Sequence, residues 1–259
     1  MTEIFRPSRR RLLQGAIAGA GVGLLAGCDA LSGKPGFVDT LEMAESLNMR
    51  VQRLLTGDGL AREFPASMIS PVFRPNGSTD PQTPEYLALR ANDFSGYRLL
   101  LRGLVEKPLE FSLQAVRAMP SRTQITRHDC VEGWSCIGKW TGARLGPLLD
   151  QAGLKKNARY IVFHCADTLE ETLDGSGQYY ESIDLVDAYH PQTILAYAMN
   201  DAPLPVPYGA PVRLRVERQL GYKHAKYVMR VEAVADYSQI GRGNGGFWED
   251  RGYEWYAGI

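Results

Sequence analysis

Three of the four cysteines and two of the four histidines lie in two short segments, Arg127-His128-Asp129-Cys130-Val131-Glu132-Gly133-Trp134-Ser135-Cys136 and Val162-Phe163-His164-Cys165. Thiolate sulfur and imidazole nitrogen are metal donors, so the first chemistry these segments suggest is a metal site. Structural zinc fits poorly. Its knuckles leave two to four residues between paired cysteines on a tight turn, whereas Cys130 and Cys136 are six positions apart and enclose Trp134. A Cys136–Cys165 disulfide is open in an oxidising compartment, and so is the plain alternative of two thiols buried as small hydrophobes. Cys130 stands apart from both: Arg127 and His128 precede it, and positive charge favours the thiolate that a nucleophile or a metal ligand requires.

A basic constellation comes later in the chain. Gly209-Ala210-Pro211-Val212-Arg213-Leu214-Arg215-Val216 and Gly221-Tyr222-Lys223-His224-Ala225-Lys226 set cations around glycine-bearing turns. Such turns bring backbone N–H groups close to a ligand, while Arg and Lys add charge-assisted hydrogen bonds to a phosphate. The competing reading is a solvated basic edge. No Walker loop, G-x-G-x-x-G, H-E-x-x-H or G-x-S-x-G occurs, which counts against nucleotide-binding, zinc-protease and serine-hydrolase chemistry. Twenty-nine Lys plus Arg balance 29 Asp plus Glu, so no net positive field concentrates nucleic acid.

The elements that must position these residues read as one mixed α+β domain. With 259 residues and 44% hydrophobic content, the chain can rest on a hydrophobic core, and its few cysteines cannot form a disulfide scaffold. Asp39-Thr40-Leu41-Glu42 has the form of a capping box, and Leu41, Ala44, Leu47, Val51, Leu54 and Leu55 recur at helical spacing until Gly57. Five prolines between Gly59 and Asp93 predict an irregular stretch laid over the core. Strands are predicted at Tyr97–Val105, Ser121–His128, Tyr160–His164, Ile194–Met199, Val212–Val216 and Tyr227–Val234, with Asn200-Asp201 a turn. Short helices are predicted from a Ser112 cap through Ala118 and over Leu145–Ala152 before Gly153. Strands outnumber helices without alternating with them, which excludes a doubly wound sheet.

The first residues read as a targeting segment. Residues 6–28 run from a basic start through the uncharged stretch Leu12 to Gly27 into small residues and Cys28. Five glycines and a length of 16 residues suit a signal peptide better than a spanning helix. Ser8-Arg9-Arg10-Arg11-Leu12-Leu13 resembles the twin-arginine signal, which exports folded, cofactor-loaded proteins. Leu25-Ala26-Gly27-Cys28 resembles a lipoprotein cleavage box, with Cys28 the acylated residue. Cleavage removes four arginines and Glu3, leaving a formal charge of −3, so acyl chains rather than basic charge would hold the protein at a membrane. The expected division is residues 1–27 as signal, 28–58 as linker and helix, and 59–259 as the catalytic domain.

From about Met68 to Val234 the segments resemble the sulfite-oxidase superfamily of molybdopterin oxidoreductases, in particular the branch containing the periplasmic protein-methionine-sulfoxide reductase catalytic subunits. The motifs that carry the resemblance are Cys130-Val131-Glu132-Gly133-Trp134-Ser135, Trp140-Thr141-Gly142, Gly209-Ala210-Pro211-Val212-Arg213-Leu214 and Gly221-Tyr222-Lys223-x-x-Lys226. The resemblance implies a sulfite-oxidase-type fold of mixed β-sheets with flanking helices, and one molybdenum-molybdopterin per chain. It implies Cys130 as the molybdenum ligand and the catalytic position. Pterin contacts map onto Asn76, Cys165, Tyr208, Arg213, His224, Ala225 and Lys226, with Arg213 and Lys226 toward the phosphate. Cys165 stands where the reductases have Thr, and Tyr208 where they have Asn, which changes the hydrogen bonds offered there.

The implied activity is two-electron oxygen-atom transfer, with reduction of a small-molecule or protein-bound S- or N-oxide favoured. Sulfite-type oxidation is the alternative at the same site, and a lipid-anchored binding protein with a redox-inactive fold is the alternative from another class. Only 25 residues follow Val234, too few for the dimerisation domain of sulfite oxidases, so a monomeric catalytic subunit is expected. The chain has no C-x-x-C-H haem attachment and no iron–sulfur cysteine set. The expected electron partner is a haem-containing membrane subunit or a cytochrome, and the expected location is the periplasm.

Overall fold

The computed structural model describes residues 34–259, residue 174 apart; the export signal and Cys28 lie outside the described residues. The chain divides into two units after Gly57. In the first, helix α1 spans Pro35–Thr56. The capping-box reading placed its start at Asp39, and this is corrected: proline's fixed φ suits the first helical turn and its missing N–H is an orphan position there, so the helix opens at Pro35. Gly57 closes it at φ +49, donating its N–H to the carbonyl of Arg53 at 2.8 Å. Among the described residues no helix is long and apolar enough to cross a membrane.

The second unit begins with the proline-rich stretch, which runs as a strap along a sheet edge. The Gln192 side chain bonds both the N–H and the carbonyl of Ala61, Phe64 N–H reaches the carbonyl of Ile125, and Ser70 N–H that of Ile137. The expectation of no regular element here fails at α2 (Pro84–Ala91), where Pro84 takes the first helical turn that proline tolerates. Then follow β1 (Arg98–Gly103), β2 (Leu109–Ser112), α3 (Leu113–Ala118), β3 (Ser121–Asp129), β4 (Ser135–Arg144), α4 (Leu145–Ala152) and β5 (Tyr160–Thr168). β6 (Gln178–Asp184), α5 (Leu185–Ala188), β7 (Ile194–Met199), β8 (Ala202–Pro203), β9 (Arg213–Arg215) and β10 (Val228–Val234) complete the order. As expected, Ser112 caps α3, its side chain accepting from Ala115 N–H, and Asn200 and Asp201 both turn at positive φ.

Two sheets result. One has the order β2-β1-β10-β5-β6, antiparallel except that β1 and β10 run parallel; the other has the order β3-β4-β7-β8, with β9 added against β7. This is the mixed α+β architecture expected. Leu99, Leu101, Phe163 and Val231 of the first sheet share one buried cluster with Ala143, Leu195 and Leu214 of the second and with the apolar face of α4. Along β7 the residues alternate: Leu195 enters that cluster, while Ile194 and Ala196 join Phe73 and Trp140 on the other face. The second sheet is therefore covered on both sides, the outer cover including the strap residue Phe73.

Candidate functional site

Cys130 follows the last residue of β3. Its N–H donates to the carbonyl of Trp134 at 3.0 Å and its carbonyl accepts from Gly133 at 3.0 Å, a tight loop that Gly133 closes at φ +84. Ser135 Oγ donates to Asp129 across the base of this hairpin. The loop holds Cys130 half-buried in the wall of a pocket that also takes Asn76, Asp167, Tyr179, His224 and Lys226. The cavity, about 150 Å3, is roughly ten times the 10–15 Å3 that a single water needs, so its walls face space for more than one water.

The expectation that Arg127 and His128 would favour the Cys130 thiolate is corrected. Arg127 lies exposed and pairs with Asp129 at 2.9 Å. His128 is buried, and burial followed by the charge of Arg215 holds its pKa well below the usual range, so it carries no charge. Burial raises the Cys130 thiol instead. The three described cysteines are all free thiols, so Cys136 and Cys165 are not joined.

Lys226 comes from the segment between the turn Gly221–Lys223 and β10. Its ammonium donates to the carbonyls of Asn76 at 2.6 Å, Pro207 at 3.1 Å and Ser78, so it holds the strap to the pocket without contacting a carboxylate. Gly209 permits this approach, since a Cβ there would lie 2.9 Å from Lys226 Cβ. Burial first, and Arg213 second, bring the Lys226 pKa down to about 7. The next residue, Tyr227, has a left-handed φ of +53, a conformation costing roughly 1–2 kcal/mol for a residue with a side chain. Its hydroxyl bond to Ser78 O at 3.1 Å helps to hold it.

The imidazoles of His128 and His224 stand 5.1 Å apart, edge to face. Arg215 Nη1 lies 3.0 Å from His128 Nδ1 and can only donate, so His128 carries its proton on Nε2, which has no partner. His224 Nε2 lies 3.0 Å from the carbonyl of Gln219 and must donate, leaving Nδ1 as a buried acceptor without a partner in the pocket wall. Arg215 is itself anchored by Glu217 at 2.6 Å. Arg215 thus sets the tautomer of His128, and the Gln219 carbonyl that of His224.

Of the residues singled out in the sequence, Asn76, Cys130, His224 and Lys226 line the one pocket. The others stand back from it. Arg213 is buried, donates to the carbonyls of Tyr208 at 3.0 Å and His224 at 3.2 Å, and lies over Trp140; burial brings its pKa down to about 9. Tyr208 donates its hydroxyl to Phe73 O at 2.7 Å. Ala225 accepts at its carbonyl from Leu214 N–H, and Cys165 is buried in the main core. Asp167 was missed, although an acid inside the apolar run of β5 was the available signal. Trp248 and Tyr253, which also line the pocket, follow no pattern that points to them.

The pattern of the oxidoreductase molybdopterin-binding domain matches residues 86–240. A protein of Azospira oryzae named as a protein-methionine-sulfoxide reductase subunit is 36% identical over 253 residues, 97% of this chain and 88% of its own length. The protein-methionine-sulfoxide reductase catalytic subunit of Campylobacter jejuni is 31% identical over 164 residues, covering 60% of this chain and 54% of its own. Among solved structures, the sulfane dehydrogenase SoxCD of Paracoccus pantotrophus is similar at a TM-score of 0.48 and 24% identity, over 55% of this chain and 39% of that one.

Proposed function

Because the chain belongs to the oxidoreductase molybdopterin-binding family, and is a molybdenum-dependent oxidoreductase, we propose that it reduces an S- or N-oxide by two-electron oxygen-atom transfer. Relatives named for methionine sulfoxide make protein-bound methionine sulfoxide the first substrate class to test. The observation that carries the reading is the convergence, in one pocket, of a half-buried thiol and a buried ammonium that contacts no carboxylate.

The residues present fit molybdopterin. The Lys226 ammonium, held by main-chain carbonyls and in hydrogen-bond contact with no carboxylate, with Arg213 acting on it, gives the pocket wall positive charge that suits a phosphate. His224 Nδ1 offers an acceptor to a pterin N–H, and Asn76 stands beside it in the wall. Among the described residues no group of three or more His, Cys, Asp or Glu could hold a metal ion. In this reading the protein supplies one sulfur, at Cys130, suited to a metal whose other ligands come with the pterin. When bound, the cofactor supplies a metal that exchanges two electrons and an oxygen atom.

The chain's own residues bind and orient around that centre. Cys130 gives up its thiol proton to ligate, which its burial opposes until a cation is present to stabilise the thiolate. The rim is apolar and aromatic: Val131 is exposed, and Trp248 and Tyr253 line the pocket with their rings stacked at 5.2 Å. Such a rim receives the apolar arms of a sulfoxide while the polar S–O group points inward. Residues 59–259 form the catalytic domain, residues 1–27 direct twin-arginine export to the periplasm, and an acylated Cys28 keeps the enzyme near a haem-containing membrane subunit or a cytochrome.

The test is to mix reduced, molybdenum-loaded enzyme with a panel of S- and N-oxides, free and peptide-bound methionine sulfoxide included, and to follow its oxidation. At least one oxide is expected to reoxidise it rapidly. Inertness to every oxide, with oxidised enzyme reduced by sulfite, would reverse the direction of the reaction. In cells, a Cys28→Ala variant with an ordinary cleavable signal should lose turnover if the partner sits in the membrane.

A further inference from the structure

The pocket wall holds a carboxyl group that the site as described does not use. Asp167 lies near the end of β5, is 2% exposed, and its Oδ1 has no hydrogen-bond partner. It lines the pocket with Lys226. Lys226 is the cation that acts on it, and Lys226 gives its protons to main-chain carbonyls rather than to this acid. The other groups that feel Asp167 are Tyr227 beside Lys226, Tyr86 of α2, Tyr179 of β6, and Cys165 on the same strand. None of them brings positive charge, and Arg213, beyond Lys226, pushes the ammonium toward neutrality.

We propose that Asp167 is the pocket's own anion, competing with the cofactor's phosphate for Lys226, and that loading of the cofactor is accompanied by uptake of one proton on Asp167. The inference rests on the assignment of this pocket to molybdopterin. Two anions cannot share one buried ammonium cheaply, and the one that can take a proton from solvent does so. The step moves a proton only: water or buffer gives it up, the carboxylate becomes a carboxylic acid, and no electron is transferred. Burial already brings Asp167 up to about 7 and Lys226 down to about 7, so near neutral pH the empty pair is poised to respond. An arriving phosphate holds the proton on Lys226 and raises Asp167 further. Through Asp167 alone the binding constant should then fall by up to about tenfold per pH unit above about 7.

The phosphate, Cys130 and Lys226 also titrate, so the test is a difference between two proteins. Purified holoenzyme, wild type and Asp167→Asn, is dialysed between about pH 6.5 and 8.5 against excess apoprotein of another molybdopterin-binding protein. Retained pterin is read by fluorescence after oxidation, and retained molybdenum by mass spectrometry. Wild type should lose cofactor increasingly as pH rises, while the Asn variant, which keeps the shape but cannot ionise, should show a shallower slope by up to tenfold per unit. Parallel slopes in two loaded proteins overturn this inference alone; folded wild type carrying no molybdopterin at any pH overturns the pocket assignment with it. Should Asp167→Asn not fold, Asp167→Glu keeps the acid and must keep the wild-type slope; a flattened slope there refutes the inference equally.

Discussion

Gly221→Ala is the smallest change that should disturb the site. A Cβ at Gly221 would lie 2.6 Å from His128 Nε2, 2.7 Å from its Cε1 and 3.2 Å from the carbonyl of Asp129. The imidazole cannot swing away freely, since Arg215 holds Nδ1 at 3.0 Å and the rings of Phe73 and Trp134 each pack against it at 5.8 Å. Nor can the turn retreat easily, because Lys223 within it is buried and bonded at 2.5 Å to both Glu181 and Glu249. Relieving the overlap costs about 1–3 kcal/mol as overpacking, and losing the Arg215 bond adds about 1.5–3 kcal/mol. The total, about 2.5–6 kcal/mol, should lower Tm by roughly 5–20 °C in a protein of this size. Scanning calorimetry of cofactor-free protein measures it, with Gly77→Ala as the comparison. A Cβ there meets nothing within 4 Å, and only φ +59 opposes it, a cost of roughly 1–2 kcal/mol. Equal Tm losses in the two variants would refute the steric reasoning.

Lys223→Met leaves the Glu181 and Glu249 carboxylates buried without their shared cation and should cost about 3–5 kcal/mol in urea unfolding; a loss below 1 kcal/mol would mean the acids are already neutral. Arg213→Ala and Lys226→Ala should each lower the molybdenum and pterin retained after purification, and unchanged content in both would move the phosphate elsewhere. In cofactor-free protein Asp167→Asn should be pH-selective. The folded acid holds its proton up to about 7 while the unfolded one loses it near 4, so wild type loses stability as pH rises across that window. The Asn variant should match wild type near pH 4 and exceed it by up to about 4 kcal/mol above pH 7; a pH-independent difference in denaturation midpoints would contradict this.

The elements legible in the sequence were those whose apolar positions keep a period and whose ends carry a cap. Leu145–Ala152 before Gly153 and the Ser112-capped α3 are of this kind. Strand β4 was missed because packing forces glycine into it: a Cβ at Gly142 would sit 2.4 Å from Leu195 O, and one at Gly138 would meet the Phe73 ring at 3.1 Å. Strand β6 was hidden by Glu181, a buried acid whose partner Lys223 is 42 positions away. The same limit governs the site. Cys130 and Lys226 announce themselves by residue type and motif, but the charge state of His128 depends on Arg215, 87 positions away. Local charge around Cys130 therefore suggested a lowered thiol, whereas burial raises it. Asp167 acquires meaning only when β5 and the segment entering β10 bring it beside Lys226.

The central claim is that this pocket holds molybdopterin with Cys130 on the metal. X-ray absorption at the molybdenum edge tests it most directly, on loaded wild type and on Cys130→Ser with its fold checked by circular dichroism. Replacing sulfur by oxygen changes the ligand while removing little volume, so the variant is expected to stay folded and to show one sulfur fewer around molybdenum than wild type. The same sulfur count in both would contradict the claim and return Cys130 to an ordinary half-buried thiol.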